Sequence, residues 1–226
     1  MNLMKAESPG PSVGKLLPKV QATAKILYKI YIALTVVLII LLLLGGIPLY
    51  DSLCAAFGTA GTGGFGIKAD SMGSYSLYIQ IVITVFMILF GVNFNVYFLL
   101  LTKKFSQALK SEEVRCYFIV IIASALMITF NVHHLFNNVW DALQQSFFQV
   151  GSIITTTGYA TTDYNQWPAV SRTILVLLTF CGACAGSTGG GIKISRLLLL
   201  AKSVRKELHL YLHPNAVKKI KMDGKA

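Results

Sequence analysis

The chain has 226 residues, of which 54% are hydrophobic and only 13% are charged, and its formal net charge is +11. Soluble globular domains carry about 25% charged residues, so this composition excludes an ordinary soluble fold and is typical of an integral membrane protein. No basic stretch is interleaved with aromatic residues in a recognisable binding module, so we expect no nucleic-acid partner. The excess of Lys and Arg is instead assigned to membrane topology and to contact with anionic membrane lipid.

The first half of the chain predicts two spanning helices with a short helix between them. Residues 1–24 are polar and basic and predict a cytoplasmic N-terminal segment rather than a cleaved signal peptide. The hydrophobic run 26–44 is long enough to span a membrane, and so is the run 77–101. Between them, Pro48 is expected to open a short half-polar helix that cannot cross a bilayer.

The second half of the chain has the same order of elements. Residues 116–132 form a hydrophobic run at the lower length limit for a spanning helix. Either Asn137 or Asn138 is expected to cap the next short helix. The last hydrophobic region consists of residues 173–181 and 192–201 with a glycine-rich stretch between them, which predicts a broken spanning helix.

The two halves repeat with a period of 94 residues, which relates Thr62 to Thr156 and Gly64 to Gly158. The predicted fold is therefore an all-α membrane protein with two tandem units, each a helix, a re-entrant pore loop and a second helix. The units are residues 25–104 and 105–204, and residues 205–226 form a cytoplasmic C-terminal segment. Because unpaired peptide groups cannot face lipid, the segment after each short helix must be buried in protein or line water.

We call residues 62–66 the first Thr-Gly segment and residues 156–160 the second. Both have the order Thr-x-Gly-aromatic-small of the potassium-channel filter, in which backbone carbonyls replace the hydration shell of the ion. Glycine permits the positive φ angles that turn successive carbonyls towards one axis. A plain turn between helices is the alternative, which two copies at one period disfavour. The candidate ion-binding residues are Thr62, Gly63, Gly64, Phe65, Thr156, Thr157, Gly158 and Tyr159.

We call residues 181–193 the glycine-rich loop, since five of them are glycine. Each glycine is unfavourable in a helix interior by about 1 kcal/mol relative to alanine. Broken backbone at membrane depth is tolerated where it lines a water-filled cavity, so we expect this loop to lie beneath the Thr-Gly segments. Lys193 either extends towards the cytoplasm or faces the pore. The candidate gate residues are Gly182, Gly186, Ser187, Thr188, Gly189, Gly190, Gly191 and Lys193.

These motifs resemble the Trk/Ktr/HKT superfamily of potassium transporters. The resemblance begins at about Lys25 and is strongest in AFGTAGTGGFG, GVNFNVYF, TTTGYATTDYNQWP and GACAGSTGGGIK. It implies that the two units correspond to the second and third of four repeats, so that the chain is expected to be a fragment. It also implies that Gly64 and Gly158 are the filter glycines and that the glycine-rich loop obstructs the permeation path.

The resemblance further implies the partners and the substrate. A four-sided filter needs the missing repeats or a second copy of the chain. Complete subunits are expected to form a homodimer, and a cytosolic nucleotide-binding regulatory subunit is expected to bind to it. The basic segments around Lys103 and Lys202 are candidate docking surfaces for that subunit. Potassium is the expected substrate, and neither a bound cofactor nor enzymatic activity is expected. The positive-inside rule places both termini in the cytoplasm of a multi-pass protein of the cell membrane.

Two other interpretations remain open at this stage. In one, the chain is a non-conducting structural remnant. In the other, it is a P-loop-like nucleotide-binding protein in which residues 173–180 form a buried strand before a phosphate-binding loop. The P-loop motif requires Gly-Lys-Ser/Thr without interruption, whereas the sequence here is Gly191-Ile192-Lys193-Ile194-Ser195. Nucleotide binding is therefore the least favoured of the three.

Overall fold

A computed structural model describes residues 20–213, so most of the two predicted cytoplasmic end segments, residues 1–19 and 214–226, lies outside the described residues. Within that range the chain is helical and contains no β-strand, in agreement with the predicted all-α class. The helices are α1 (Val20–Leu44), α2 (Leu49–Ala60), α3 (Leu77–Phe90), α4 (Phe94–Leu101), α5 (Phe105–Leu109), α6 (Glu112–Val132), α7 (Val139–Ile154), α8 (Ala169–Phe180) and α9 (Ile194–Leu212).

Two of the described helices are long and apolar enough to cross a membrane. One is α1 over Thr23–Leu44, and the other is α6 with the short 3₁₀ turn that follows it, over Glu112–Leu135. Many large apolar side chains of α1 are exposed, as expected for a helix that contacts lipid. Helix α6 begins four residues before the predicted hydrophobic run, because Glu112 and Glu113 in its first turn interact favourably with the helix dipole.

The prediction that residues 77–101 form one spanning helix is wrong. Helices α3 and α4 meet at an angle of 91°, and residues 91–93 form the break between them. Gly91 ends α3, and the side chain of Asn93 caps α4 by accepting a hydrogen bond from the backbone N–H of Asn95 at 2.9 Å. A capped second helix can therefore start in a new direction, although the run as a whole is long and apolar enough to suggest one span.

The two short helices form as predicted. Helix α2 follows Pro48 and has 12 residues, and α7 follows Asn138 and has 16 residues. The side chain of Asn138 makes no capping hydrogen bond, so it begins the helix by position only. Neither helix reaches the length of about 20 residues that crosses the hydrocarbon core.

The last hydrophobic region is broken, as predicted. Helix α8 ends at Phe180 and α9 begins at Ile194, with the glycine-rich loop between them. The strand that the nucleotide-binding interpretation requires before this loop is absent, because Ala169–Phe180 is a helix. Helix α9 continues through the predicted unit boundary at residue 204.

Two apolar cores hold the helices together, one for each half of the described chain. The first is built mainly from α1, α2 and α3, and the second from α6, α7 and α8. Each core also takes side chains from the other half: Phe148 and Tyr159 lie in the first core, and Val92 lies in the second. This exchange brings the segments that follow α2 and α7 close together.

Candidate functional site

The two Thr-Gly segments have the same backbone conformation at equivalent positions. Thr62 and Thr156 have φ angles of 50° and 57°, and Gly64 and Gly158 have φ angles of 68° and 87°. Positive φ is uncommon for a β-branched residue and marks strain that surrounding structure must stabilise. The same unusual sequence of conformations thus occurs twice, 94 residues apart.

The hydrogen bonds that shape the segments also repeat at this offset. In the first segment, the backbone N–H groups of Gly63 and Gly64 donate to the carbonyl of Gly58 at 2.7 and 3.5 Å. In the second, the N–H groups of Thr157 and Gly158 donate to the carbonyl of Ser152 at 2.9 and 3.3 Å. Each segment therefore folds back onto the C-terminal turn of the short helix that precedes it.

The two segments lie against each other. A β-carbon built on Gly64 would be 1.8 Å from the carbonyl oxygen of Thr157, so only glycine permits this approach. Beyond the segments, the N–H of Met72 donates to the carbonyl of Ala160 at 2.9 Å, and the N–H of Ala160 donates to Ser71 Oγ at 3.2 Å. The loops after α2 and α7 are thereby fixed relative to one another.

Several carbonyl oxygens of the segments accept no hydrogen bond from the described residues. Within residues 20–213, no protein group donates a hydrogen bond to the carbonyls of Thr62, Gly63, Thr156 or Thr157. Their own N–H groups point back to the preceding helices, so the acceptors are the groups left without a protein partner. A set of oxygen ligands without competing donors suits a dehydrated monovalent cation.

The aromatic residues of the two segments have opposite environments. Tyr159 is 1% exposed and packs on α2, where its hydroxyl donates to the carbonyl of Ala55 at 3.3 Å. A β-carbon on Gly58 would lie 2.2 Å from the Tyr159 hydroxyl, so the ring needs the absence of a side chain there. Phe65 is 85% exposed. The second segment is thus supported by the short helix of the first half, while the first segment has no such support among the described residues.

The glycine-rich loop has a defined conformation. Cys181 and Ile192 form an isolated parallel bridge, and the N–H of Gly182 donates to the carbonyl of Ile192 at 2.7 Å. Gly186 and Gly191 have positive φ angles of 70° and 72°. A β-carbon on Gly182 would be 2.3 Å from the carbonyl oxygen of Gly190, so the two ends of the loop touch.

The loop contacts both Thr-Gly segments through their threonine hydroxyls. Thr62 Oγ1 donates to the carbonyl of Thr188 at 3.2 Å, and Thr156 Oγ1 accepts from the N–H of Gly190 at 2.7 Å. Lys193 turns towards the loop itself, where its ammonium donates to the carbonyl of Gly189. The predicted gate residues and the predicted ion-binding residues are therefore adjacent.

Comparison with known proteins identifies the family. A family profile described as TrkH, cation transport protein, matches residues 1–226. The Trk system potassium uptake protein TrkH of Salmonella typhimurium is 36% identical over 231 residues, which cover 100% of this chain and 48% of that protein.

The chain belongs to the TrkH cation transport family. The Trk system potassium uptake protein TrkG of Escherichia coli is 32% identical over 227 residues, covering 99% of this chain and 47% of that protein. The crystal structure of the potassium transporter TrkH from Vibrio parahaemolyticus superposes with a TM-score of 0.88 at 33% identity, covering 99% of this chain and 49% of that chain. The chain thus spans about half the length of the relatives it matches, and the predicted superfamily is confirmed.

A glutamine network, which the sequence patterns did not predict, supports the second Thr-Gly segment of this TrkH-family chain. Gln80 of α3 donates to the carbonyl of Met72 at 3.1 Å and accepts from Gln144 Nε2 at 2.8 Å. Gln145 donates to the side chain of Gln144 and accepts from the Thr161 hydroxyl. A buried Gln within an apolar helix was the available signal, since such residues bond between helices.

The second missed residue is Glu113, which is 5% exposed. Its carboxylate accepts from the backbone N–H of Ala185 in the glycine-rich loop at 2.5 Å and from Asn93 Nδ2 at 3.4 Å. The sequence contains few acidic residues, and a Glu at the start of an apolar run is an equally good sign of a solvated helix end. Only the packing distinguishes these two roles.

Two carboxylates follow the Thr-Gly segments. The Ser74 hydroxyl holds the pKa of Asp70 below its ordinary value, and the backbone N–H of Asn165 does the same for the pKa of Asp163. Both groups are therefore ionised at neutral pH. Negative charge in the loops that follow the segments favours cations over anions there by electrostatics.

Proposed function

We propose that this chain contributes half of a potassium-conducting pore in which backbone carbonyls of the two Thr-Gly segments bind the ion. The observation that carries the proposal is the repeated backbone geometry of these segments, with Gly64 packed against the Thr157 carbonyl. The matched relatives are named as potassium uptake proteins, which supports potassium as the substrate and transport rather than catalysis as the activity.

The carbonyls offered by the segments account for the chemistry. An ion that leaves water for a narrow pore needs oxygen ligands in place of its hydration shell. Thr62, Gly63, Thr156 and Thr157 supply such oxygens from two adjacent loops, and the positive φ angles at Gly64 and Gly158 shape the turns that present them. The carbonyls are dipoles and not charges, so a monovalent cation can bind without being trapped.

Further repeats complete the pore in this proposal. Tyr159 packs on the short helix of the first half, and Phe65 occupies the equivalent position with 85% of its surface exposed. Gly158 likewise has no atom within 4 Å of the place of a β-carbon, whereas Gly64 touches the neighbouring segment. Both open faces fit additional units of the same architecture, supplied by missing repeats or by a second copy of the chain. Complete subunits then form a homodimer in the cell membrane.

The glycine-rich loop acts as the gate in this proposal. It contacts Thr62 and Thr156, the first residue of each segment, whereas the loops that carry Asp70 and Asp163 follow the last residue of each segment. A loop at this end of the segments, opposite to Asp70 and Asp163, blocks the ion path until it moves. By resemblance, a cytosolic nucleotide-binding regulatory subunit drives this movement and binds the basic segments around Lys103 and Lys202.

Potassium and sodium fluxes in liposomes test the proposal. The chain is measured as part of a complete transporter of the relatives' length, unchanged and with Gly158→Ala. We expect the variant to conduct with a lower preference for potassium over sodium, because a β-carbon strains the backbone at positive φ. The matched control is Gly151→Ala in α7, where the added carbon meets its nearest neighbour at an ordinary 3.5 Å. Absence of flux through the unchanged transporter would support the structural-remnant interpretation instead.

A further inference from the structure

The glycine-rich loop is joined to the helix break at residues 91–93 as closely as to the Thr-Gly segments. The N–H of Cys184 donates to the carbonyl of Gly91 at 3.0 Å, and the N–H of Thr188 donates to the carbonyl of Phe90 at 3.3 Å. In the other direction, the N–H of Phe94 donates to the carbonyl of Gly186 at 3.0 Å. The loop therefore supplies hydrogen-bond partners for peptide groups that the 91° bend leaves without a helical partner. The same hydrogen bonds fix the loop to the bend.

A single side chain bridges these two irregular segments. The Glu113 carboxylate accepts from the N–H of Ala185 in the loop through Oε1, and from Asn93 Nδ2 in the break through Oε2. The other polar atom of the Asn93 side chain, Oδ1, accepts from the N–H of Asn95 and caps α4. Glu113 thus connects the loop and the helix break from a third element, the first turn of α6.

The burial of Glu113 indicates a specific role. A carboxylate at 5% exposure is costly unless hydrogen bonds and opposite charge stabilise it, and here Lys193 on the loop interacts with it electrostatically. Helix formation alone gives no reason to bury this group, because its neighbour Glu112 is only partly buried and pairs with Lys202 of α9. The carboxylate therefore stabilises the loop in the position seen here.

We propose that Glu113 is the positioning residue that latches the glycine-rich loop under the Thr-Gly segments, and that gating moves the loop by breaking the Glu113–Ala185 and Glu113–Asn93 hydrogen bonds. The inference rests on the proposed function for its consequence, which is control of flux. Its structural content, a loop held by Glu113, is independent of what crosses the pore.

Cys184 provides a native reporter of the latch. It lies in the loop, is fully buried, and its N–H pairs with Gly91. The transporter is prepared with Cys54, Cys116 and Cys181 replaced by alanine, and the rate of maleimide labelling at Cys184 is measured in liposomes. Glu113→Gln is expected to raise this rate by roughly tenfold, about 1.4 kcal/mol, because hydrogen bonds to a charged acceptor are stronger than those to a neutral amide.

Two further variants separate the latch from other effects. Asn93→Asp keeps the cap of α4 but places a carboxylate against Glu113, and we expect it to raise labelling as well. Asn93→Asp adds a negative charge near Cys184, whereas Glu113→Gln removes one. A faster labelling rate in both variants therefore cannot come from the electrostatic environment of the thiol. Glu112→Gln removes the same charge one residue away, from a partly exposed carboxylate that pairs with Lys202 of α9, and is expected to change labelling by less than about twofold.

A matched chain that retains Cys54 on α2 instead of Cys184 detects general unfolding, and its labelling rate should stay the same in all variants. Unchanged labelling at Cys184 in both Glu113→Gln and Asn93→Asp would overturn the latch. Failure of both variants to fold would overturn it too, since Glu113 would then be needed for the fold and not for loop position. Potassium flux is recorded in parallel and should rise in both variants without the regulator. If neither the unchanged transporter nor any variant conducts, the proposed function fails while the labelling still decides the latch.

Discussion

The carbonyl oxygen of Thr157 lies so close to Gly64 that a β-carbon there would be 1.8 Å from it, whereas a β-carbon on Gly158 would meet no atom within 4 Å. The two glycines occupy equivalent positions with the same backbone conformation. Gly64 is thus required for contact between the segments as well as for its φ angle. Gly158 is required within the described residues for its φ angle alone.

We therefore expect Gly64→Ala to destabilise the protein more than Gly158→Ala. Overpacking costs about 1–3 kcal/mol, in addition to about 1–2 kcal/mol for a β-carbon at positive φ. The measurement is the free energy of unfolding in detergent for both variants. Gly151→Ala, in the interior of α7, serves as the control and should be neutral or slightly stabilising. Equal losses for Gly64→Ala and Gly158→Ala would contradict the close packing of the two segments.

The Thr156 hydroxyl should hold the glycine-rich loop in place, because it accepts the hydrogen bond from the Gly190 N–H at 2.7 Å. Thr156→Val keeps the branched shape but leaves that N–H without its partner, at a cost of about 1–3 kcal/mol. We expect amide hydrogen exchange in a peptide containing Gly190 to accelerate by roughly tenfold. Thr156→Ser retains the hydroxyl and should exchange like the unchanged chain. Equal protection in the Val and Ser variants would remove Thr156 from loop positioning.

Shortening the glycine-rich loop tests its role as a gate. Deleting part of residues 186–190 in a complete transporter is expected to raise the flux per inserted protein and to reduce its dependence on the regulatory subunit. The reason is that the contacts to Thr62 and Thr156, which in the proposed mechanism hold the loop in the ion path, are lost with it. A loop that only packs helices would instead give less inserted protein and a lower flux. Flux is normalised to the amount of correctly inserted protein, with and without the regulator.

Tyr159 and Phe65 should contribute differently to the free energy of unfolding in this chain alone, and more equally in a complete transporter. Tyr159→Ala removes a buried ring and is expected to lower the free energy of unfolding by about 3–5 kcal/mol. Phe65→Ala should change it by no more than about 0.5 kcal/mol in this chain alone, because the ring is 85% exposed. In a complete transporter the loss for Phe65→Ala should approach that for Tyr159→Ala. A small effect of Phe65→Ala in both contexts would mean that no further repeat packs on this face.

The membrane topology predicts opposite accessibilities for acidic and basic residues. Cysteines at Asp70 and Asp163 should react with an impermeant reagent added outside, and cysteines at Lys103 and Lys206 only with reagent added inside. The acidic positions lie beyond the Thr-Gly segments and the basic positions lie near α4 and on α9. Labelling of Asp163→Cys from the cytoplasmic side alone would invert the proposed orientation.

Local sequence determined much of this fold because the relevant forces are local. Hydrophobic length identified α1 and α6, Pro48 marked the start of α2, and the five glycines of residues 181–193 ended α8. The period of 94 residues related the two Thr-Gly segments, and their glycines indicated the positive φ angles that the structure contains. Each of these signals depends on composition or spacing within a short window.

The bend at residues 91–93 could not be predicted in this way. The run 77–101 is apolar enough on average to suggest a single span, although Gly91 and Asn93 lie within it. A bend there is unfavourable in an apolar environment unless the peptide groups of Phe90, Gly91 and Phe94 find hydrogen-bond partners. Those groups find their partners in Cys184, Gly186 and Thr188, which are about 90 residues away in the sequence. The energetics of the bend therefore depend on a tertiary contact that no local pattern records.

Some properties of this protein were determined by the sequence alone, and others were decided by the tertiary structure. The sequence determined the family, the membrane class and the residue types at the Thr-Gly segments, since these follow from hydrophobicity, spacing and the conformational freedom of glycine. The tertiary structure decided that Tyr159 is buried while Phe65 is exposed, and that Glu113 rather than Glu112 faces the glycine-rich loop. Both pairs consist of chemically similar side chains, and they differ because packing places one member of each pair against a neighbouring segment and leaves the other nearer the surface.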